Sequence, residues 1–205
     1  MAALQALAIV LYPFAVYFAL GRASPRSIGL FTLGLLLLRL ALVSRQRLAA
    51  TARVFAPVAV VFGSASLAAA LWGDARALLL APAVFNAAMF GVFAVSLGRP
   101  QSAIERLARA QVGELPADEV AYCRRVTAVW CAFFVLNGAV CAALALWASR
   151  EAWAAYTGAL AYALLGALFA GEYVYRHWRF RRYRGGPADG LLRRLFPPRE
   201  GSLGH

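Results

Sequence analysis

The sequence predicts an all-α integral membrane protein, a bundle of about six transmembrane helices with both termini on the cytoplasmic side. Three observations predict it. Six apolar blocks, Ala2–Leu20, Ile28–Val43, Val54–Trp72, Ala77–Leu97, Val126–Ala148 and Trp153–Tyr175, divide the chain, and most are long enough to cross a hydrocarbon core at the helical rise. Composition agrees, since 62% hydrophobic against 15% charged residues cannot be wrapped into a soluble domain without large exposed apolar patches. Finally, the arginines gather at alternate ends of successive blocks.

Each block has its own character. The first, Ala2–Leu20, carries Pro13 deep in its run, where a kink is expected. Read instead as a signal sequence it would be cleaved near Ala23, but the basic n-region of such a sequence is missing. The second is short and contains Arg39, whose long stem lets its charge snorkel to the headgroups. In the third, Pro57 falls in a tolerated first-turn position, whereas Pro82 lies deeper in the fourth and is expected to kink it. Asn86 and Asn137 sit near the centres of the fourth and fifth blocks. The sixth ends near Glu172 and shows small residues every fourth position, Ala155, Ala159, Ala163, Ala167 and Gly171, a ridge that permits close backbone approach or a homo-oligomer seam.

Orientation comes from counting. The chain has no lysine, and sixteen of its 21 basic residues fall in segment 44–53, segment 98–125 and the tail from Arg176 onward. Arg22, Arg26, Arg76 and Arg150 occupy the opposite connections. Short Arg-rich segments are retained in the cytoplasm during insertion, so the richer side is expected inside. Aromatic belts give a second indication: Trp72, Trp147 and Trp153 flank the outer turns, and Tyr175, Trp178 and Tyr183 flank the inner end of the last block. The expected organisation is a transmembrane bundle over residues 1–178 and an Arg-rich, flexible cytoplasmic tail over residues 179–205, with a short apolar helix around Leu191–Phe196 placing Arg193 and Arg194 at the membrane surface.

The connection 98–125 is the one substantial element outside the spans. Ser102 and Glu105 have capping-box spacing and open an amphipathic helix; Pro116-Ala117-Asp118 marks a break and a new helix start. Its Glu105, Arg106, Arg109, Arg124 and Arg125, with Arg176, Arg179, Arg181 and Arg182 of the tail, form the candidate surface for partner proteins and anionic lipid.

The formal charge of +12 invites a nucleic-acid reading, but the basic run 176–184 begins where a membrane block ends, so lipid headgroups are the expected partner and nucleic acid is not. Cys131 and Cys141 lie inside the fifth block and Cys123 at its entrance, where cysteine acts as a small hydrophobe. The spacing of His177, His205 and the cysteines makes no metal or cofactor motif, and paired acids or a nucleophile with its base are not recognisable, so catalysis is not expected. What remains is polarity at membrane depth, which is expensive and marks candidate sites: Asn86, Asn137, Arg39 and Glu172. The two asparagines are expected to hydrogen-bond across helices or to line a substrate path. Glu172 is expected to pair with Arg39, or with Arg124 or Arg125.

Several short runs carry a family likeness. Pro13-Phe14-Ala15-Val16-Tyr17-Phe18-Ala19, Phe62-Gly63-Ser64, Pro100 with Ile104-Glu105-Arg106, Trp130 with Phe133-Phe134 and Asn137-Gly138, and Gly171-Glu172-Tyr173-Val174-Tyr175-Arg176-His177 resemble, in this order, intracellular septation protein A. The chain looks closest to a branch of bacterial inner-membrane proteins similar to those encoded beside type II fatty-acid-like and aryl-polyene synthesis enzymes. The resemblance implies a role in cell-envelope synthesis through contacts with other membrane proteins, with no catalytic residues to carry over. The Tyr122-Cys123-Arg124 entrance and the Arg-rich tail depart from that family's pattern. The expected function is therefore a non-catalytic accessory or scaffold protein of the inner membrane in envelope or lipid-linked product synthesis; the alternative is a small transporter or flippase for a lipid-like product.

Overall fold

The structure, a computed structural model, describes residues 14–42, 60–61, 63–181 and 189–197, and among them the side chains of residues 35–42, 111–112, 189 and 191 are not described. Pro13, Pro57, Phe62, Arg182, Tyr183 and the Arg39 side chain lie outside that description. The described chain is helical and holds no strand. Helical residues 14–20 come first; α1 (Pro25–Leu42) and helical residues 63–72 come after them. The next elements are α2 (Arg76–Leu79), α3 (Ala81–Leu97), α4 (Ala103–Val112), α5 (Ala117–Trp147) and α6 (Arg150–Ala155). A π turn (Tyr156–Leu160) leads from α6 into α7 (Ala161–Phe180), and α8 is Asp189–Leu195. The chain packs as two compact units, Met1–Leu160 and Ala161–His205.

Among the described residues, three stretches are long and apolar enough to cross a membrane: Arg76–Leu97, Ala117–Trp147 and Arg150–Phe180, of 22, 31 and 31 residues. At 1.5 Å per residue the longer two measure about 46 Å, more than a hydrocarbon core of about 30 Å. They extend the expected blocks in sequence. Helix α5 begins at Ala117, the new start expected at Pro116-Ala117-Asp118, and runs on through Tyr122, Cys123, Arg124 and Arg125 into the fifth block.

Apolar and polar side chains are distributed as a lipid solvent requires. Leu136, Phe169, Leu30 and Phe31 are exposed, whereas Ser96, Ser102, Thr127, Asn86 and Thr157 are buried. Exposed apolar surface on this scale is unfavourable in water and neutral against acyl chains. Within the first unit, α3 and α5 pair along much of their length. An aromatic group holds that seam, with Phe93 5.2 Å from Phe134 and 6.4 Å from Trp130, ring centroid to centroid.

A core of buried side chains joins Val16, Ile28, Ala69, Leu78, Leu79, Ala145, Trp153 and Ala154. Trp153, expected in the headgroup belt, is only 1% exposed and belongs to this core, whereas Trp72 and Trp147 are 74% and 82% exposed. The reason is a hydrogen bond. The fourth block breaks at Leu80, one residue ahead of α3, so Pro82 sits in a first turn, where its missing N–H costs little, instead of kinking a continuous helix. Indole Nε1 of Trp153 donates to the Leu79 carbonyl beside that break at 3.0 Å. A buried carbonyl needs a donor, and satisfying it draws the indole inward.

Close backbone approach fixes a second contact. A Cβ on Gly29 would stand 2.5 Å from the Ser66 carbonyl oxygen, and beside it Thr32 Oγ1 donates to Ser66 Oγ at 2.8 Å. Helix α1 and helical residues 63–72 thus meet through glycine and paired hydroxyls, as membrane helices do without a hydrophobic drive between them.

Candidate functional site

The polar residues at membrane depth converge. Asn86 is buried on α3, Asn137 is part-buried on α5, and Tyr156 opens the π turn at the end of α6. Tyr156 Oη donates to Asn137 Oδ1 at 2.9 Å, Asn137 Nδ2 donates to Asn86 Oδ1 at 3.0 Å, and Asn86 Nδ2 donates to the Pro82 carbonyl at 2.8 Å. The asparagine pair is the cross-helix contact expected of it; Tyr156 is the member that sequence reasoning missed.

Local backbone explains why these side chains reach each other. A Cβ at Gly138 would lie 3.0 Å from Asn86 Cβ, so the glycine next to Asn137 lets α3 approach α5 closely. The π turn inserts an extra residue into the helical ladder, which shifts the side chains of this turn around the helix axis. Thr157 Oγ1 donates back to the Trp153 carbonyl at 2.7 Å, supplying a donor within this irregular turn. The trio contains neither carboxylate nor imidazole. Its chemistry is directional hydrogen bonding between neutral groups, suited to fixing the register of three segments.

The connection between α3 and α5 is built into the first unit. Ser102 Oγ accepts from the Glu105 N–H at 3.4 Å, and Glu105 Oε2 accepts from the Ser102 N–H at 3.4 Å, so the expected capping box is present. Helix α4 docks on α5 by burying Ile104 and Ala108. Its first turn is anchored by side chains of two longer helices, since the Ala103 N–H donates to Ser96 Oγ at 2.9 Å and the Ile104 N–H to Thr127 Oγ1 at 3.3 Å. Glu105 corrects the expectation of a contact surface: it is 3% exposed, and Arg109 Nε donates to its Oε1 at 2.9 Å. Arg106 and Leu107 are exposed on the same helix and remain available to a partner.

Glu172 takes a partner from its own helix. Arg176 Nη2 stands 2.6 Å from Glu172 Oε1, one turn along, an ion pair beside the pairing expected with Arg39, Arg124 or Arg125; the Arg39 side chain lies outside the described residues. Arg125 is exposed, and Arg124 points its guanidinium at the end of α3, donating to the Leu97 carbonyl and, at 3.4 Å, to the Arg99 carbonyl. Arg26 and Arg150 act alike at other helix ends, reaching the Leu71 carbonyl at 3.4 Å and the Leu20 carbonyl at 3.3 Å. Carbonyls at a helix C-terminus lack intrahelical donors and sit at the negative end of the dipole, so a guanidinium there satisfies both needs. Arginine counting reads such residues only as charges. The signal for this use is their place two residues outside an apolar block, ahead of it for Arg26 and Arg124 and after it for Arg150.

Cys123, Cys131 and Cys141 are all buried, as small hydrophobes are. The ridge from Ala155 to Gly171 is exposed at each of its five positions. In the second unit, Arg179 lies with Cζ 5.8 Å from the Phe180 centroid, and Arg181 comes directly after the end of α7. The expected short helix is α8, with Leu192 buried and Arg193 and Arg194 exposed.

Among known proteins, the model of the family described as intracellular septation protein A matches residues 2–180. Nothing among curated proteins or solved structures matches the chain.

Proposed function

The chain belongs to the intracellular septation protein A family, and from that premise we propose that it is a non-catalytic, multi-pass accessory protein of the bacterial inner membrane. In this reading both termini are cytoplasmic, and the protein holds partner proteins of envelope or lipid-linked product synthesis through the exposed residues of segment 98–125. The observation that carries the proposal is the hydrogen-bonded series Pro82, Asn86, Asn137 and Tyr156. Polar groups at membrane depth are costly, and these satisfy one another, which favours a rigid packing element over a wet path.

The test uses the full chain in native membranes, with a photoreactive group at Leu107, an exposed position on the docked helix α4. Crosslinking to a defined set of synthesis or division proteins is the expected outcome. Capture of lipid alone sinks the accessory reading.

A small transporter or flippase for a lipid-like product is the second reading. The π turn favours it, since such turns recur at functional sites and this one carries Tyr156 against the asparagine pair. Asn86→Leu combined with Asn137→Leu separates the two. A correctly inserted double variant that keeps function supports the accessory reading, and one that accumulates product inside the cell supports the flippase.

A further inference from the structure

The end of α7 is built in a way that its helix does not require. The Arg181 N–H donates to the His177 carbonyl at 2.9 Å while Arg181 itself has φ +52°, the left-handed conformation that closes helices and that glycine usually supplies. A side chain with a Cβ is disfavoured there. Its consequence is where the guanidinium goes. Nη1 donates to the Pro197 carbonyl at 3.2 Å, and Nε is buried without a hydrogen-bond partner. Buried donors are nearly always paired, so an orphaned guanidinium N–H points to an acceptor supplied from outside the chain.

An open cleft of about 260 Å³ lies at this place, lined by Tyr175, Trp178, Arg179 and Arg181. Tyr175 and Trp178 are 5.5 Å apart between ring centroids and about half exposed, the amphipathic aromatics that settle at headgroup level. The cleft's lining carries two guanidinium groups. With Nη1 of Arg181 occupied, the edge formed by Nε and Nη2 is the one left for bidentate binding of a planar pair of oxygens.

We propose that this cleft is a headgroup site that seats the phosphate of an anionic phospholipid. Two phosphate oxygens accept from the Nε and Nη2 edge of Arg181, Arg179 adds the second positive charge, and the Tyr175 and Trp178 rings flank the headgroup where acyl chains begin. A lipid rather than a free phosphate is the occupant because the site ends a membrane-length helix and half its lining is interfacial aromatic.

The experiment places the full-length protein in nanodiscs of phosphatidylcholine containing phosphatidylglycerol and counts lipids retained on the released protein by native mass spectrometry. The protein is expected to retain phosphatidylglycerol selectively, and Arg181→Gly to lose roughly tenfold of that retention, the scale of a charged bidentate contact. Glycine suits φ +52°, so this variant should unfold at the same or a higher temperature. If its unfolding temperature falls instead, Arg181→Lys decides, since it keeps the charge and lacks the forked edge. Arg194→Gln, at an exposed position on α8, should retain lipid normally. Equal loss in Arg194→Gln, unchanged retention in both Arg181 variants, or displacement of the lipid by millimolar inorganic phosphate would each overturn the proposal: the first as diffuse charge, the second as no site, the third as a free-phosphate site.

Discussion

The two compact units solve the same problem of holding helices in lipid by different means. In the first, through Leu160, polar contacts join segments far apart in sequence: Arg150 to Leu20, Trp153 to Leu79, Asn137 to Asn86 and Thr32 to Ser66. In the second, the contacts seen between described residues include Glu172 with Arg176 and His177 with Tyr173, one helical turn apart, and Arg181 with Pro197 across a single connection. Helix α5 buries residues from Glu119 to Ala145, whereas α7 buries His177. The difference shows what specifies a membrane fold. Apolar surface inserts a helix but does not choose its neighbour, because lipid is as apolar as leucine; neighbours are chosen by close backbone approach and by hydrogen bonds that lipid cannot supply.

The severest challenge to this contrast removes the residue that combines deep packing with a long-range hydrogen bond. Trp153→Ala should destabilise the first unit by about 3–5 kcal/mol, from the cavity and the Leu79 carbonyl left unpaired, read as the unfolding midpoint in detergent micelles. Leu164→Ala, at a 44% exposed position on α7, should change that midpoint by no more than about 0.5 kcal/mol. Equal effects would erase the distinction between the units. Gly29→Val comes next. Its side chain would start 2.5 Å from the Ser66 carbonyl, so helical residues 63–72 must shift, at about 1–3 kcal/mol, and a disulfide engineered across the two helices should form more slowly.

Sequence patterns reveal what repeats or stays local. The fourth, fifth and sixth blocks reappear as membrane-length helices, and the Ser102 and Glu105 spacing is a working capping box, because helix length and caps are decided within a few residues. The pairing of Asn86 with Asn137 is legible too, since polar groups at matching depth have few other partners. Three features are hidden. Trp153 turns inward because a break beside Pro82 frees a carbonyl 74 residues away, a tertiary event. The π turn has no spacing rule, so in the sequence Tyr156 is one more aromatic of an apolar block. Glu172 also pairs with Arg176 one turn along its own helix, a contact that helical spacing allows but that counting arginines by side leaves unread.

A smaller effect tests whether α4 belongs to the first unit as firmly as its burial implies. Ser102→Ala removes one half of the capping box and should cost about 1 kcal/mol. The loss should be local. Hydrogen exchange is expected to quicken over Ala103–Val112 and stay unchanged along Arg76–Leu97. Faster exchange through both would mean that α4 supports the long helices rather than resting on them.

The finest contrast sets the polar contact between distant helices against the one within a helix. A double-mutant cycle on Asn86→Leu and Asn137→Leu should give a coupling of about 0.6 kcal/mol, with about 1.7 kcal/mol as an upper bound for such pairs in a bilayer. The equivalent cycle on Glu172→Gln and Arg176→Gln should give about 0.2–0.5 kcal/mol, the range for pairs one turn apart with partly exposed side chains. The two couplings should also differ in salt dependence. The Glu172 coupling is charged and reachable by ions, so it should shrink as ionic strength rises, while the neutral asparagine coupling should hold. If salt weakens both equally, water reaches Asn86 and Asn137, which is what the flippase reading requires and the accessory reading forbids.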